Sequence, residues 1–396
     1  MPTLAVNPAD PGSVALVAVP VPFASVPRAA WDRVHAAAEA ATPFSAWTFQ
    51  RAWWDAYGTT AHEQTLVCVP AARAADPLGD PGAIVAILPL MHRHVLEPED
   101  ATTATALRRR HAAGTDLRPA AKAVFMGASY HADYATFLAA PADLPAVARA
   151  LVAALAGPPD PAHGEAGWDV VDLRRWRAGD PAADAVEAAF RAAAPTHGWE
   201  VVREHEDVCP VVTLPEGGDW DAYLATLGKH DRHEIRRKIR RAEAAGAVTF
   251  TRAPLDAASV ERFITLHQAR WGADGLFPET DGGERSRRFL HRLAELEAAE
   301  GAAACLQLGL VHAGERLIFA SAGFDDGTTC YFYNAGMDPE ARELSPGVTG
   351  AAAYLRDRMA AGRRRFDFLR GDEPYKYQWG AVDEPVDRII VLRAAG

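Results

Sequence analysis

YFYNAGMDPEARELSPGVTGAAAYLRDRMAAGRRRFDFLR, residues 331 to 370, holds the decision about the fold. Its aromatic start, within TCYFYNAG (329–336), has the composition of a strand. A helix is predicted over 347–361, with Val348, Ala352, Leu355 and Met359 on one face and Gly362 closing it. RRFDFLR then reads as a second strand. With a helix as crossover, that strand must lie parallel to one before it.

Upstream, CLQLGLV (305–311) alternates Leu306, Leu308 and Leu310 with smaller or polar residues, LIFASAGF (317–324) is apolar on both faces, and DDG (325–327) supplies a tight turn. These strands form an antiparallel meander. A parallel strand leaving a meander opens a crevice, and both YFYNAG and DFLRGDEPYK end beside it. Ser345, Pro346 and Gly347 sit at the helix start, where a cap, a preset φ and a bare backbone suit a pyrophosphate.

The rest of the chain repeats this order. The first half reads as two helices, the second being SAWTFQRAWWDAY (45–57). Strands follow near 64–70, 82–95 and 123–138, then a helix near 142–155 and the strand WDVVDL (168–173). The second half has helices near 228–245, 257–271 and 284–299 before its strands. Punctuation by AGPPDPAHGEAG (156–167) and LPEGGD (214–219) gives an N-terminal lobe over 1–175, a connecting segment over 176–213 and a C-terminal lobe over 214–396.

With 396 residues and 49% hydrophobic residues the chain can fill two lobes. A net charge of -11 argues against nucleic-acid or membrane-surface binding by the molecule as a whole. Cys68, Cys209, Cys305 and Cys330 have neither zinc-site nor disulfide spacing and read as small core residues in a reducing cytosol. VALVAVPVPF (14–23) reads as an opening strand, too short and proline-broken to span a bilayer. HRH (92–94) lacks a nearby third ligand, so no metal is expected.

Residues 219–380, with LHQARW (266–271), HDRHEIRRKIRRAE (230–243) and above all DFLRGDEPYK, resemble the GNAT-type acyltransferases known as CelD-like, or cellulose-biosynthesis acetyltransferases. Those are related to the Fem-type peptidoglycan aminoacyltransferases, which carry two GNAT-like lobes. The resemblance implies an α/β fold of tandem GNAT-like lobes, each a mixed, mostly antiparallel sheet flanked by helices. It also implies acyl-CoA, most simply acetyl-CoA, as co-substrate and a small-molecule acceptor. The usual basic, glycine-rich phosphate turn is replaced by ARELSPGVTG, with Arg342 displaced and Gly347 and Gly350 available.

Acyl transfer to an amine needs a base, a polarised carbonyl and a proton for the thiolate. Asp367, Arg370, Glu373 and Lys376 are the expected catalytic group, alongside a competing reading as ion pairs that clamp the loop. Asn334, Ser345, Pro346, Gly347 and Val348 are expected at the CoA. His267, Arg270, Trp271, Tyr333, Asp372 and Tyr375 are expected at the acceptor, with Tyr333 or Tyr375 serving the thiolate. His267 shares the buried stripe of its helix and reads equally as a core residue. Seven Lys or Arg within 229–241 read as a solvated face or as phosphate contacts to CoA or to a charged tRNA. Aminoacyl transfer from tRNA and a non-catalytic binding module remain the alternatives. The acceptor and the oligomeric state leave no mark in the sequence.

Overall fold

The structure, a computed structural model, describes residues 15–93, 122–128, 130–157 and 167–393; His94 and most of the 156–167 punctuation lie outside them. The first half runs β1 (Leu16–Pro20), α1 (Arg28–Ala37), α2 (Trp47–Tyr57), β2 (His62–Glu63), β3 (Leu66–Pro70), β4 (Ala86–Leu88) and β5 (Leu90–Arg93). It continues with β6 (Ala123–Met126), β7 (Leu138–Ala139), α3 (Leu144–Ala156), β8 (Val170–Arg177), α4 (Pro181–His197) and β9 (Trp199–Thr213). The second half begins with α5 (Trp220–Thr226), α6 (Lys229–Ala245), β10 (Val248–Ala253), α7 (Ala257–Trp271) and α8 (Asp281–Glu300). It ends with β11 (Leu306–Ala313), β12 (Arg316–Asp325), β13 (Thr329–Met337), α9 (Pro346–Ala360), β14 (Arg365–Asp367), α10 (Pro374–Tyr377) and β15 (Val382–Arg393).

The expected meander is present as the antiparallel β11, β12 and β13, with β10 added at its edge. Helix α9 crosses over, and β14 pairs parallel to β13 from Thr329 opposite Arg365 to Tyr331 opposite Asp367. The first half does the same with α3: β6 pairs parallel to β8 from Ala123 opposite Val170 to Phe125 opposite Asp172. Each lobe is therefore mostly antiparallel with one parallel pair and a crossover helix, as expected for tandem GNAT-like lobes, but the first lobe's strands divide between a separate four-stranded antiparallel sheet, β1-β3-β4-β7, and the large sheet that takes β2, β5, β6 and β8.

The lobes join by exchanging their last strands. In the eleven-stranded sheet the order is β10-β11-β12-β13-β14-β9-β15-β8-β6-β5-β2, so β9 from the first half abuts β14, and β15 from the second abuts β8. Residues 176–213, expected as a connector, are thus a helix and a 15-residue strand inside the sheet. The polar REHED (203–207) in that segment suggests a linker, but flanking Val201, Val202, Val208, Val211 and Val212 fit a pleated, half-buried surface. RRFDFLR is also shorter than expected as a strand, ending at Asp367 because Leu369 takes a left-handed φ of 58°.

The halves also share one core, in which Phe44, Phe49, Trp53 and Tyr57 pack with Phe263, Phe289, Leu293 and Phe324. We expect residues 214–396 expressed alone to lack cooperative unfolding by circular dichroism, because β15 loses β8 and β9 together. Adding residues 1–213 in trans should restore a cooperative transition.

Candidate active site

The wedge forms where β13 outruns its partner: pairing stops at Tyr331 and Asp367, while β13 continues to Met337. Opposite β12 the register passes from Ala322–Asn334 to Phe324–Tyr331, three steps on β13 against two on β12. That bulge leaves one residue of β13 outside the ladder, near Tyr333. Gly323 makes room for it, since a Cβ there would lie 2.6 Å from the Tyr331 carbonyl oxygen.

At the far end of β13 a cavity of about 390 Å³ is lined by Arg270, Met337, Asp338, Pro339, Arg342, Ser345, Pro346, Gly347 and Val348. It combines the first turn of α9 with two guanidinium groups from different elements. Ser345 sits at φ 50°, and Arg241 of α6 donates to its Oγ at 2.5 Å. Arg342, which the sequence places away from the turn, lines the same cavity. Backbone amides are fewer than expected: Pro346 has none, Ser345 N donates to Arg342 O, and Val348 N donates to Ser345 O. The Gly347 amide is the one left for a ligand among these residues. Gly350 serves packing, because a Cβ there would lie 2.2 Å from the Phe319 ring.

The acidic loop differs from its expected role. Asp367 is completely buried; its Oδ2 accepts from the Tyr134 hydroxyl at 2.8 Å and its Oδ1 from Leu369 N at 2.8 Å. Desolvation pushes its carboxyl up to about 6, against the pull of those two hydrogen bonds and of Arg177. A carboxylate so enclosed cannot meet an incoming amine. Arg370 is buried against Asp133 of the first lobe, Nε to Oδ1 2.8 Å, with Glu206 and Asp207 nearby. Lys376 Nζ donates to the carbonyls of Leu369, Arg370 and Gly371 at 2.9, 2.8 and 3.0 Å and pairs with Glu373 at 2.9 Å. Of the clamp reading the Glu373–Lys376 pair is present, while Arg370 pairs with Asp133 rather than Asp367; Glu373 alone of the four reaches solvent, its side chain 45% exposed.

Around the mouth, Arg270 stacks 4.4 Å over the exposed Trp271; burial lowers its pKa, opposed by the nearby Glu373 carboxylate. His267 lies beneath, its pKa lowered to about 4 mainly by desolvation, with Asn334 beside it. Its Nδ1 has no hydrogen-bond partner, and it stands edge-on to Phe277 at 5.1 Å, so it belongs to the core more than to the opening. Tyr333 is half-buried at the wedge, and its hydroxyl lies 2.8 Å from His131 Nδ1. Tyr375 is exposed, and Asp372 is half-buried on the same loop.

His131, Asp133 and Tyr134 come from one turn, YHADY (130–134), inside what reads as a strand over 123–138. A compact cluster of His, Asp and two Tyr within five residues is the sequence signal that could have singled it out; in the structure it follows the left-handed Ala128, φ 56°.

Residues 229–377 match the family model described as acetyltransferase (GNAT) domain, which assigns acyltransferase chemistry to the lobe that carries the wedge. FemX has 10% identity and a TM-score of 0.56, covering 91% of this chain and 96% of its own. A protein of unknown function from Bacteroides thetaiotaomicron has 14% identity and a TM-score of 0.52, covering 93% of this chain and 98% of its own. These two likenesses extend the common fold over both lobes. No curated protein matches the sequence.

Because the folded Asp367 carboxyl titrates near 6, above the 3.8 of an ordinary aspartate, its stabilising protonated form is lost as pH rises. Stability should fall between pH about 4 and about 6, by roughly 3 kcal/mol from this group. Asp367→Asn should remove that component in urea unfolding measured across the range. Parallel pH profiles for both proteins would contradict the assignment.

Proposed function

We propose that the protein is an N-acyltransferase that moves an acyl group, most simply acetyl, from acyl-CoA to an amine of a small molecule, saccharide or peptide. The cavity beside the start of α9 carries this reading. Arg270, Arg342, the Ser345–Gly347 turn and Arg241 behind it offer a diphosphate positive charge, a backbone amide and a helix N-terminus together. From there the bulged strand leads to Tyr333.

The chemistry divides among three groups. An amide freed by the β13 bulge polarises the thioester carbonyl as the amine nitrogen attacks its carbon. Glu373, the exposed carboxylate, accepts the amine proton directly or through water. As the C–S bond breaks, the Tyr333 hydroxyl protonates the thiolate. Asp367, Arg370 and Lys376 hold the loop that presents Glu373. Asp372, Tyr375 and Trp271 rim the acceptor side, where a carboxylate and aromatic faces suit a cationic or sugar-borne amine.

The resemblance to CelD-like enzymes favours this donor. FemX shares the fold, which keeps aminoacyl transfer from tRNA as the second reading. Against it, the net charge is -11, and on α6 Arg236 and Arg237 are tied to Asp221 and Glu234. Among the described residues no helix is long and apolar enough to cross a membrane. The four cysteines are free, consistent with the cytoplasmic setting we infer.

Calorimetry with acetyl-CoA should show binding that weakens about tenfold in Arg342→Ala and Arg270→Ala and declines with salt. Glu373→Gln should leave that affinity unchanged while lowering kcat by about 10²–10⁴-fold. Charged tRNA binding tightly where acetyl-CoA does not bind would replace this reading with the second.

A further inference from the structure

Tyr333 belongs to the second lobe, and its hydroxyl partner does not. His131 of the first lobe places Nδ1 2.8 Å from the Tyr333 oxygen and Nε2 2.9 Å from the Tyr57 oxygen, which lies 2.7 Å from Ser286 Oγ. The imidazole is buried and stacks on Phe289 at 4.2 Å between centroids. Tyr130 and Tyr57 stand edge-on at 4.5 and 5.3 Å. A neutral ring has one donor and one acceptor nitrogen, so the two tyrosines cannot both donate to it or both accept from it. Burying a ring with two polar nitrogens where an apolar ring would stack equally well is unfavourable unless both are satisfied.

We propose that His131 is a positioning residue for acyl transfer: its Nδ1–H donates to the Tyr333 oxygen, Nε2 accepts from Tyr57, and the Tyr333 proton is left facing the wedge. In this direction the tyrosine's own hydrogen is not spent on the protein. When that proton passes to the departing thiolate, the oxygen left behind keeps the His131 bond already aimed at it, with no reorganisation. The proton count is complete without His131 changing charge: Tyr333 gives one proton to sulfur and recovers one from the medium after product leaves. The first lobe thereby completes the second lobe's site. This inference rests on Tyr333 being the proton donor of the proposed transfer.

The test is a double-mutant cycle on the full-length protein, with kcat, acetyl-CoA affinity and melting temperature measured for each variant. His131→Phe keeps the stack on Phe289 and removes both nitrogens. We expect it to lower kcat about 10- to 100-fold with acetyl-CoA affinity unchanged. Tyr333→Phe should lower kcat at least as much, and the double variant should be no slower than Tyr333→Phe alone. His131→Asn, whose side-chain amide can donate from near the Nδ1 position, should recover most of the rate.

A fast His131→Phe enzyme beside a slow Tyr333→Phe enzyme would overturn the role of His131 alone. Losses that multiply in the double variant, tracking the melting temperature, would make the histidine structural. Full activity in Tyr333→Phe would remove the proton donor and this inference with it, while acetyl-CoA binding by the same variant would leave the donor reading standing. Should His131→Phe fail to fold, His131→Asn with wild-type melting and a slow kcat would overturn the proposal by itself.

Discussion

Everything in this structure hangs on the pair of exchanged strands. β9 and β15 run antiparallel from Val382 opposite Val211 to Arg393 opposite Trp199, and they are flanked by β14 on one side and β8 on the other. Charges are buried along this seam. Asp172 lies between Arg174 at 2.9 Å and Arg388 at 2.6 Å, and Arg175 pairs with Glu206. Removing such charges from water costs several kcal/mol each, offset only when every partner is met. A slip of one residue would turn these side chains to the opposite face and strand them, so the network specifies register as much as stability. Since β9 is also the neighbour of β14, that register sets where the wedge opens.

Beside the seam, the loop after β14 is built around a backbone turned the wrong way. Leu369 is left-handed, Gly371 sits at φ 109°, and three consecutive carbonyls point inward. Unmet, those carbonyls would be costly; the Lys376 ammonium meets all three. Glycine is required at 371 for its φ; a Cβ there would also lie 2.6 Å from the Glu373 carboxylate, which would have to swing aside. The crowd of charges in DFLRGDEPYK is in this sense mostly scaffold, and the scaffold's product is the placement of Glu373.

The parts of the fold legible in the sequence are those carried by local pattern. The alternating leucines of CLQLGLV, the DDG turn, the α9 face and the crossover rule lead to the meander and its parallel strand, and these are what the structure contains. Pairing between distant segments leaves no such trace. Nothing in VVREHEDVCPVVT announces that it lies between β14 and β15, and nothing in RRFDFLR announces that Tyr134 will cover Asp367. The same limit applies at the site. Ser345 to Gly347 and Arg270, which line the cavity, sit in local patterns, whereas the burial of Asp367 and Arg370 depends on Tyr134 and Asp133 of the first lobe, 233 and 237 residues away in the chain. Arg342 looked displaced from its turn only along the chain; in space it returns to the same cavity.

The two lobes share a parallel strand pair spanned by a crossover helix and differ at the end of that pair. Asp172 and Asp367 hold equivalent places, each the last residue of β8 or β14 in the parallel ladder. In the second lobe, β13 continues past the ladder to build the wedge. In the first, β6 stops at Met126, and the turn through Gly127 and the left-handed Ala128 sends YHADY across to the other lobe. Helix α3 opens on Leu144 and Pro145 with no glycine in its first turn, and Asp172 is locked between two arginines. Among the described residues, the strand end that corresponds to the wedge is occupied in the first lobe by contacts to the second: Tyr134 to Asp367 and Asp133 to Arg370.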